Sequence, residues 1–116
     1  MTSLPNSITE FLTQPYELTQ EQIHFYKKFR YIKLKEVLNL ETLLFFNEAI
    51  TDQVNIMNQE DKALEERTTY GKAFLQLFNL WIENDIVKSL VFSKRIAKIA
   101  SDLMEVDGVR LYHDQA

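Results

Sequence analysis

The order of apolar and polar positions divides the chain into a short lead, a helical body and two stretches of period two. Residues 1–17 hold both prolines, Pro5 and Pro15, among Ser, Thr and Asn, with only the pair Phe11 and Leu12 to bury, so an irregular lead is expected. Thr19 and Gln22 have the Thr-x-x-Gln spacing of a capping box, in which each side chain satisfies an orphan backbone N–H of the other residue, and a helix should start there. At about 100° per residue, Leu18, Phe25, Tyr26 and Phe29 gather on one face, while Gln20, Glu21, His24, Lys27 and Lys28 take the other. This predicts an amphipathic helix lying on a core. Period two over Tyr31–Lys35 points Ile32 and Leu34 inward and the two lysines outward, the pattern of an edge strand. Asn39 is a candidate N-cap for the longest helix, whose residues Leu43, Phe46, Ile50, Val54 and Met57 recur at spacings of three and four.

Charge dominates from Gln59 to Thr69, as in a mobile connector that is at most partly helical. The apolar run Phe74–Trp81 is too short for periodicity to separate a buried strand from a helical turn, and its type stays open. Asp85 can cap a short helix through Val91. Ser93 can cap another with the stripe Ile96, Ile99, Ala100 and Leu103, after which Gly108 suits a left-handed turn. Val109–Gln115 then alternates as a strand. The pattern describes an α+β chain that is mostly α, with residues 1–17 as lead and 18–116 as a single folded part.

Composition narrows the class. A chain of 116 residues has room for one domain and one core, and its 46% apolar and 26% charged residues are those of an ordinary soluble globular protein. Two Gly and two Pro are too few for the tight turns of an all-β sandwich or barrel. A net charge of −4 gives no global attraction to phosphate backbones or anionic lipid, so neither nucleic acid nor membrane is an expected partner. The lack of cysteine removes disulfides, thiolate zinc sites and a Cys nucleophile. No apolar run approaches the ~20 residues of a membrane span, and Lys27 is the first cationic side chain, which leaves a cytoplasmic protein as the expectation.

Catalysis would have to draw on His24 and His113. His24 falls on the polar side of the first helix and reads as a solvated surface residue. His113 and Asp114 are adjacent, but neighbours in a strand point to opposite faces and cannot share one ion, and no third ligand is apparent; no metal site and no catalytic residue is assigned. The same parity groups Leu111, His113 and Gln115 on one face. That face is either the wall of a polar pocket or an exposed strand surface. Lys27, Lys28, Arg30, Lys33 and Lys35 form a basic cluster whose directions the helix-to-strand change should scatter into solvent, and Phe74, Phe78 and Trp81 read as core.

Residues Leu18–Leu38, LTQEQIHFYKKFRYIKLKEVL, resemble the opening of the phytanoyl-CoA dioxygenase family, in which a capped helix with an aromatic and basic end leads into a short strand. The run from Ala73 resembles the same family more specifically: FNLW at Phe78–Trp81, the helix pair leading through VFSKRIAKIASDLM, and then Gly-Val-Arg-Leu-Tyr-His-Asp-Gln at 108–115. Arg30 departs from the pattern, since such proteins usually place glycine there, and a conformation other than left-handed is therefore expected of it.

The resemblance implies an iron(II)- and 2-oxoglutarate-dependent oxygenase built on a double-stranded β-helix (jelly-roll) barrel, of which this chain would hold the N-terminal helices and the strands that precede and begin the barrel. The family's His-x-Asp motif, distal metal histidine and 2-oxoglutarate-binding arginine come later than the His-Asp-Gln strand and have no counterpart among these residues. The chain therefore reads as an N-terminal fragment, inactive by itself, with no cofactor of its own although iron(II) and 2-oxoglutarate belong to the full-length family. Under the resemblance, His113 and Gln115 become candidates for lining the cosubstrate or substrate pocket of the intact enzyme. The alternative is a non-catalytic helical binding module that self-associates or needs a partner; in the first reading that partner is the missing barrel segment.

Overall fold

The computed structural model describes residues 3–59 and 77–116. The charged connector beyond Gln59, and Phe74–Gln76 of the apolar run, lie outside the described residues. Among those described are six helices: α1 (Asn6–Thr13), α2 (Gln20–Phe29), α3 (Leu40–Gln59), α4 (Leu80–Glu83), α5 (Asp85–Val91) and α6 (Lys94–Met104). Pairing between extended segments is confined, among these residues, to one isolated antiparallel bridge between Phe78 and Gln115. The mostly helical expectation holds, while neither Tyr31–Lys35 nor Val109–Gln115 forms a ladder.

Local chemistry sets most helix starts. Gln22 N–H donates to Thr19 Oγ1 at 3.1 Å and Thr19 N–H to Gln22 Oε1 at 2.9 Å, completing the expected capping box of α2. Thr42 N–H donates to Asn39 Oδ1 (2.9 Å) at the start of α3, and Ile96 N–H to Ser93 Oγ (3.3 Å) at the start of α6. The cap of α5 is Asn84 rather than Asp85: its Oδ1 accepts from Ile86 and Val87 N–H, and Asp85 sits in the first turn, where its charge favours the helix dipole.

The lead is not irregular. Pro5 occupies the N-cap of α1, its carbonyl accepting from Ile8 (3.1 Å) and Thr9 (3.0 Å), and Pro15 follows the helix end, so the prolines bound a two-turn helix instead of preventing one. Leu4, Ile8, Phe11 and Leu12 recur at helical spacing. Ile8 and Leu12 are buried with Phe46 of α3 in the central cluster, flanked by Leu38, Phe45, Ile50, Ile86 and Leu90. Burying each of those three large side chains is worth about 1.5–3 kcal/mol.

Around this cluster α1 and α2 pack on α6, and α3 packs on α4 and α5. The segments are tied at Arg95, only 7% exposed, in the first turn of α6. Its Nε donates to Val37 O at 2.6 Å and its Nη1 to Gln14 O and Pro15 O at 3.0 and 3.2 Å. The guanidinium carbon lies 4.3 Å from the centre of the Phe11 ring and 5.4 Å from that of Tyr16. A cation at a helix N-terminus opposes the dipole. Here the carbonyls at the end of α1, which have no helical partner of their own, and two aromatic faces offset that cost. Tyr16 Oη also donates to Lys35 O at 2.7 Å, holding residues 31–38 against the same end of the molecule.

Three further expectations are corrected. The face of α2 carrying Phe25 and Phe29 does not lie on the core: both rings are exposed, and no residue of α2 is fully buried. Arg30 does adopt the left-handed conformation (φ 64°) as the C-cap of α2, its N–H donating to Tyr26 O at 2.7 Å. After α6 it is Glu105 (φ 53°), not Gly108, that turns left-handed. Over Tyr31–Lys35 the expected alternation survives without a ladder, since Ile32 and Leu34 are half-buried and Tyr31, Lys33 and Lys35 are exposed.

Candidate functional site

The C-terminal segment carries the sequence-derived site residues. Leu77 and Ala116 exchange two backbone hydrogen bonds of 2.8 Å, and Asn79 N–H donates to Asp114 O at 2.9 Å. Asp114 then turns its side chain to the start of α4, where Oδ1 accepts from Leu80 N–H (2.8 Å) and Oδ2 from Trp81 N–H (3.0 Å). Asn79, the residue in the N-cap position, is left-handed and makes no side-chain cap, so the capping carboxylate of α4 comes from far along the chain.

His113 and Gln115 are exposed. The His113 ring lies edge-on to Phe78 (5.5 Å between centres) and to Tyr112 (4.7 Å), and Gln115 is the bridge partner of Phe78. His24 is exposed on α2, as expected. The neighbours His113 and Asp114 are not brought together as ligands: the carboxylate is consumed by two backbone N–H groups, and the imidazole packs on rings. Among the described residues no three His, Asp or Glu side chains gather as a metal-binding group, so these residues do not fit an iron site.

A second feature lies at the end of α2. The left-handed Arg30 turns the chain so that Tyr31 meets Phe25 edge-on at 5.5 Å, and Phe25 and Phe29 pack at 4.7 Å. The three rings are 38%, 49% and 64% exposed for Phe25, Phe29 and Tyr31. Lys28 Nζ lies 5.3 Å from the centre of the Phe29 ring. Beside them runs an open groove of about 470 Å³ lined by Thr19, Glu21, Gln22, Phe25, Tyr31, Ile32 and Lys33. The expected scatter of the basic cluster is partial: Lys27 turns away to Glu105 (2.6 Å), whereas Lys28 and Lys33 border the rings.

No family model matches the chain, and neither a curated protein nor a solved structure matches it. Two further grooves lie among the described residues: about 500 Å³ beside Phe11, Leu38, Leu40 and Leu43, and about 200 Å³ beside Phe45, Glu48, Asp52 and Asn84. Sequence reasoning missed Arg95 and Asp114. Neither partnership has a local signal, because the residues joined lie 33 or more positions apart.

Proposed function

We propose that this chain supplies the helical N-terminal layer of an iron(II)- and 2-oxoglutarate-dependent dioxygenase of the phytanoyl-CoA dioxygenase family, acting as a hydroxylase in the cytoplasm once a barrel segment with the metal ligands completes it. The resemblance over Leu18–Gln115 suggests the family. The observation that carries the reading furthest is the end of the run Val109–Gln115, which is anchored to α4 through Asp114 and whose only bridge among the described residues is that of Gln115 with Phe78. Such a strand has backbone groups to offer a further strand. His113 and Gln115 share one face of it and would line the pocket side of the completed barrel, while Asp114 on the other face keeps the strand on the helices. Iron and 2-oxoglutarate would supply the oxygen chemistry from residues beyond those of this chain.

The test has two parts. The purified 116-residue chain, given iron(II) and 2-oxoglutarate, should form no succinate; turnover would overturn the reading. The nucleotide sequence following the Ala116 codon should encode, in some frame, a His-x-Asp motif within a few tens of residues.

A second reading is a non-catalytic helical binding module that self-associates or needs a partner. It is favoured by the apolar ridge of Leu40, Leu43 and Leu44 on α3, all exposed. Light scattering separates it from the first: a concentration-dependent oligomer supports it, and a monomer without dye-binding apolar surface counts against it.

A further inference from the structure

We propose that the face built by the last turn of α2 and residues 30–35 docks a linear acidic peptide segment carrying an apolar anchor, a role that does not depend on the dioxygenase reading. The first ground is the aromatic trio. Phe25, Phe29 and Tyr31 pack on one another yet remain substantially open to solvent, which makes an ordered apolar platform instead of scattered single side chains. Aromatic side chains with arginine are what the centres of protein interfaces are enriched in.

Charge supplies the second ground. From Gln22 to Lys35 there is no carboxylate and there are five cations, in a chain whose net charge is −4, so the acidic excess lies wholly elsewhere. Lys27 is neutralised by Glu105. Lys28 lies over the Phe29 ring and Lys33 lines the groove, while Arg30, between Phe29 and Tyr31 in sequence, and Lys35 are exposed. Glu21, the one carboxylate among the described residues that line the groove, belongs to the first turn of α2. Lys33 lines the same groove as Glu21, whereas Arg30 lies roughly 14 Å along the helix from it, beyond the roughly 8 Å screening length at physiological salt, so Glu21 opposes the Arg30 end only weakly.

The third ground is shape. A groove of about 470 Å³ has room for one or two large side chains, the size of an apolar anchor. An extended nucleic acid or an anionic bilayer would spread negative charge past this small patch onto the acidic remainder of the chain, whereas a short segment meets the patch alone. Arg30 adds a fourth ground: it holds a left-handed backbone that glycine would adopt without strain, at the turn that brings the Phe29 and Tyr31 rings together.

Fluorescence anisotropy with the full chain tests this. The probe is a labelled peptide of roughly a dozen residues, rich in Glu and Asp with a central Leu-Phe pair. Binding in the micromolar range is expected, weakened about tenfold when the pair becomes Ala-Ala and abolished when the acids become Lys. Phe29→Ala and Tyr31→Ala change exposed rings and should retain the helical circular-dichroism spectrum while binding about tenfold more weakly. Arg30→Gly separates binding from folding: its melting temperature should rise by roughly 4 °C while affinity falls threefold or more, and Arg30→Lys should retain binding. No binding by the wild-type chain overturns the proposal. So does affinity indifferent to the anchor pair or to Lys33→Glu, equal or tighter binding to a uridine oligonucleotide or to phosphatidylserine vesicles, or a dimer in light scattering that Phe29→Ala dissociates.

Discussion

The regions around Arg95 and Arg30 use the same side chain in opposite ways. Arg95 is buried, and each of its carbonyl partners lies 58 or more residues away, at the end of α1 and at Val37. Arg30 is exposed on a strained backbone, and the rings it organises lie within five residues of it. In the first region, long-range hydrogen bonds reinforce the apolar packing of Ile8, Leu12 and Leu38 by fixing where the end of α1 and Val37 meet α6. In the second, short-range contacts order a surface that nothing among the described residues covers. Among the described residues seven apolar side chains are buried while fifteen large ones are exposed, so a polar tie such as Arg95 matters beside the apolar contacts these residues make.

The widest gap between the two regions should appear on substitution of Arg95. Arg95→Met leaves three carbonyls without their donor and removes both ring contacts; a loss of about 3 kcal/mol or more is expected in urea unfolding. Lysine at this position keeps the charge but not the planar fork and should recover less than half of that loss. Next is Asp114→Ala, which uncaps α4 and should cost about 1–2 kcal/mol, with faster hydrogen exchange at the Leu80 and Trp81 amides. Asn, with one acceptor oxygen, should fall between. The smallest effect has the opposite sign: Arg30→Gly relieves the left-handed backbone and should stabilise by about 1 kcal/mol. If Arg30→Gly destabilised the chain, the contrast between a structural and a surface arginine would fail.

What could be read from the sequence is what depends on neighbours. The caps at Thr19, Asn39 and Ser93, the length of α3 and the inward parity of Ile32 and Leu34 follow from spacings of two to four residues. Misreadings arose where a local signal had two outcomes. Pro5 and Pro15 suggested irregularity but delimit α1, because proline is as compatible with a helix start as with a loop. Phe25 and Phe29 have helical spacing, but periodicity says only that they share a face, not what covers it. Arg95 and Asp114 were beyond reach, since a guanidinium that finds carbonyls 58 to 81 residues away leaves no pattern along the chain. For the candidate site, strand parity grouped His113 with Gln115 in the sequence, a grouping that one bridge at Gln115 without a ladder leaves as an expectation, and the capping role of Asp114 required α4 to be in place.

The central claim is that one end of this molecule is tied by long-range contacts while the rings at the end of α2 and residues 109–113 are left uncovered by the described residues. Amide hydrogen exchange on the full chain, at a concentration where it is monomeric, tests this most directly. The amides of α1, α3 and α6 should exchange slowly, and those of residues 31–35 and 109–113 at close to unprotected rates. Protection at 109–113 equal to that of α6 would mean the strand is already paired, and would contradict the claim.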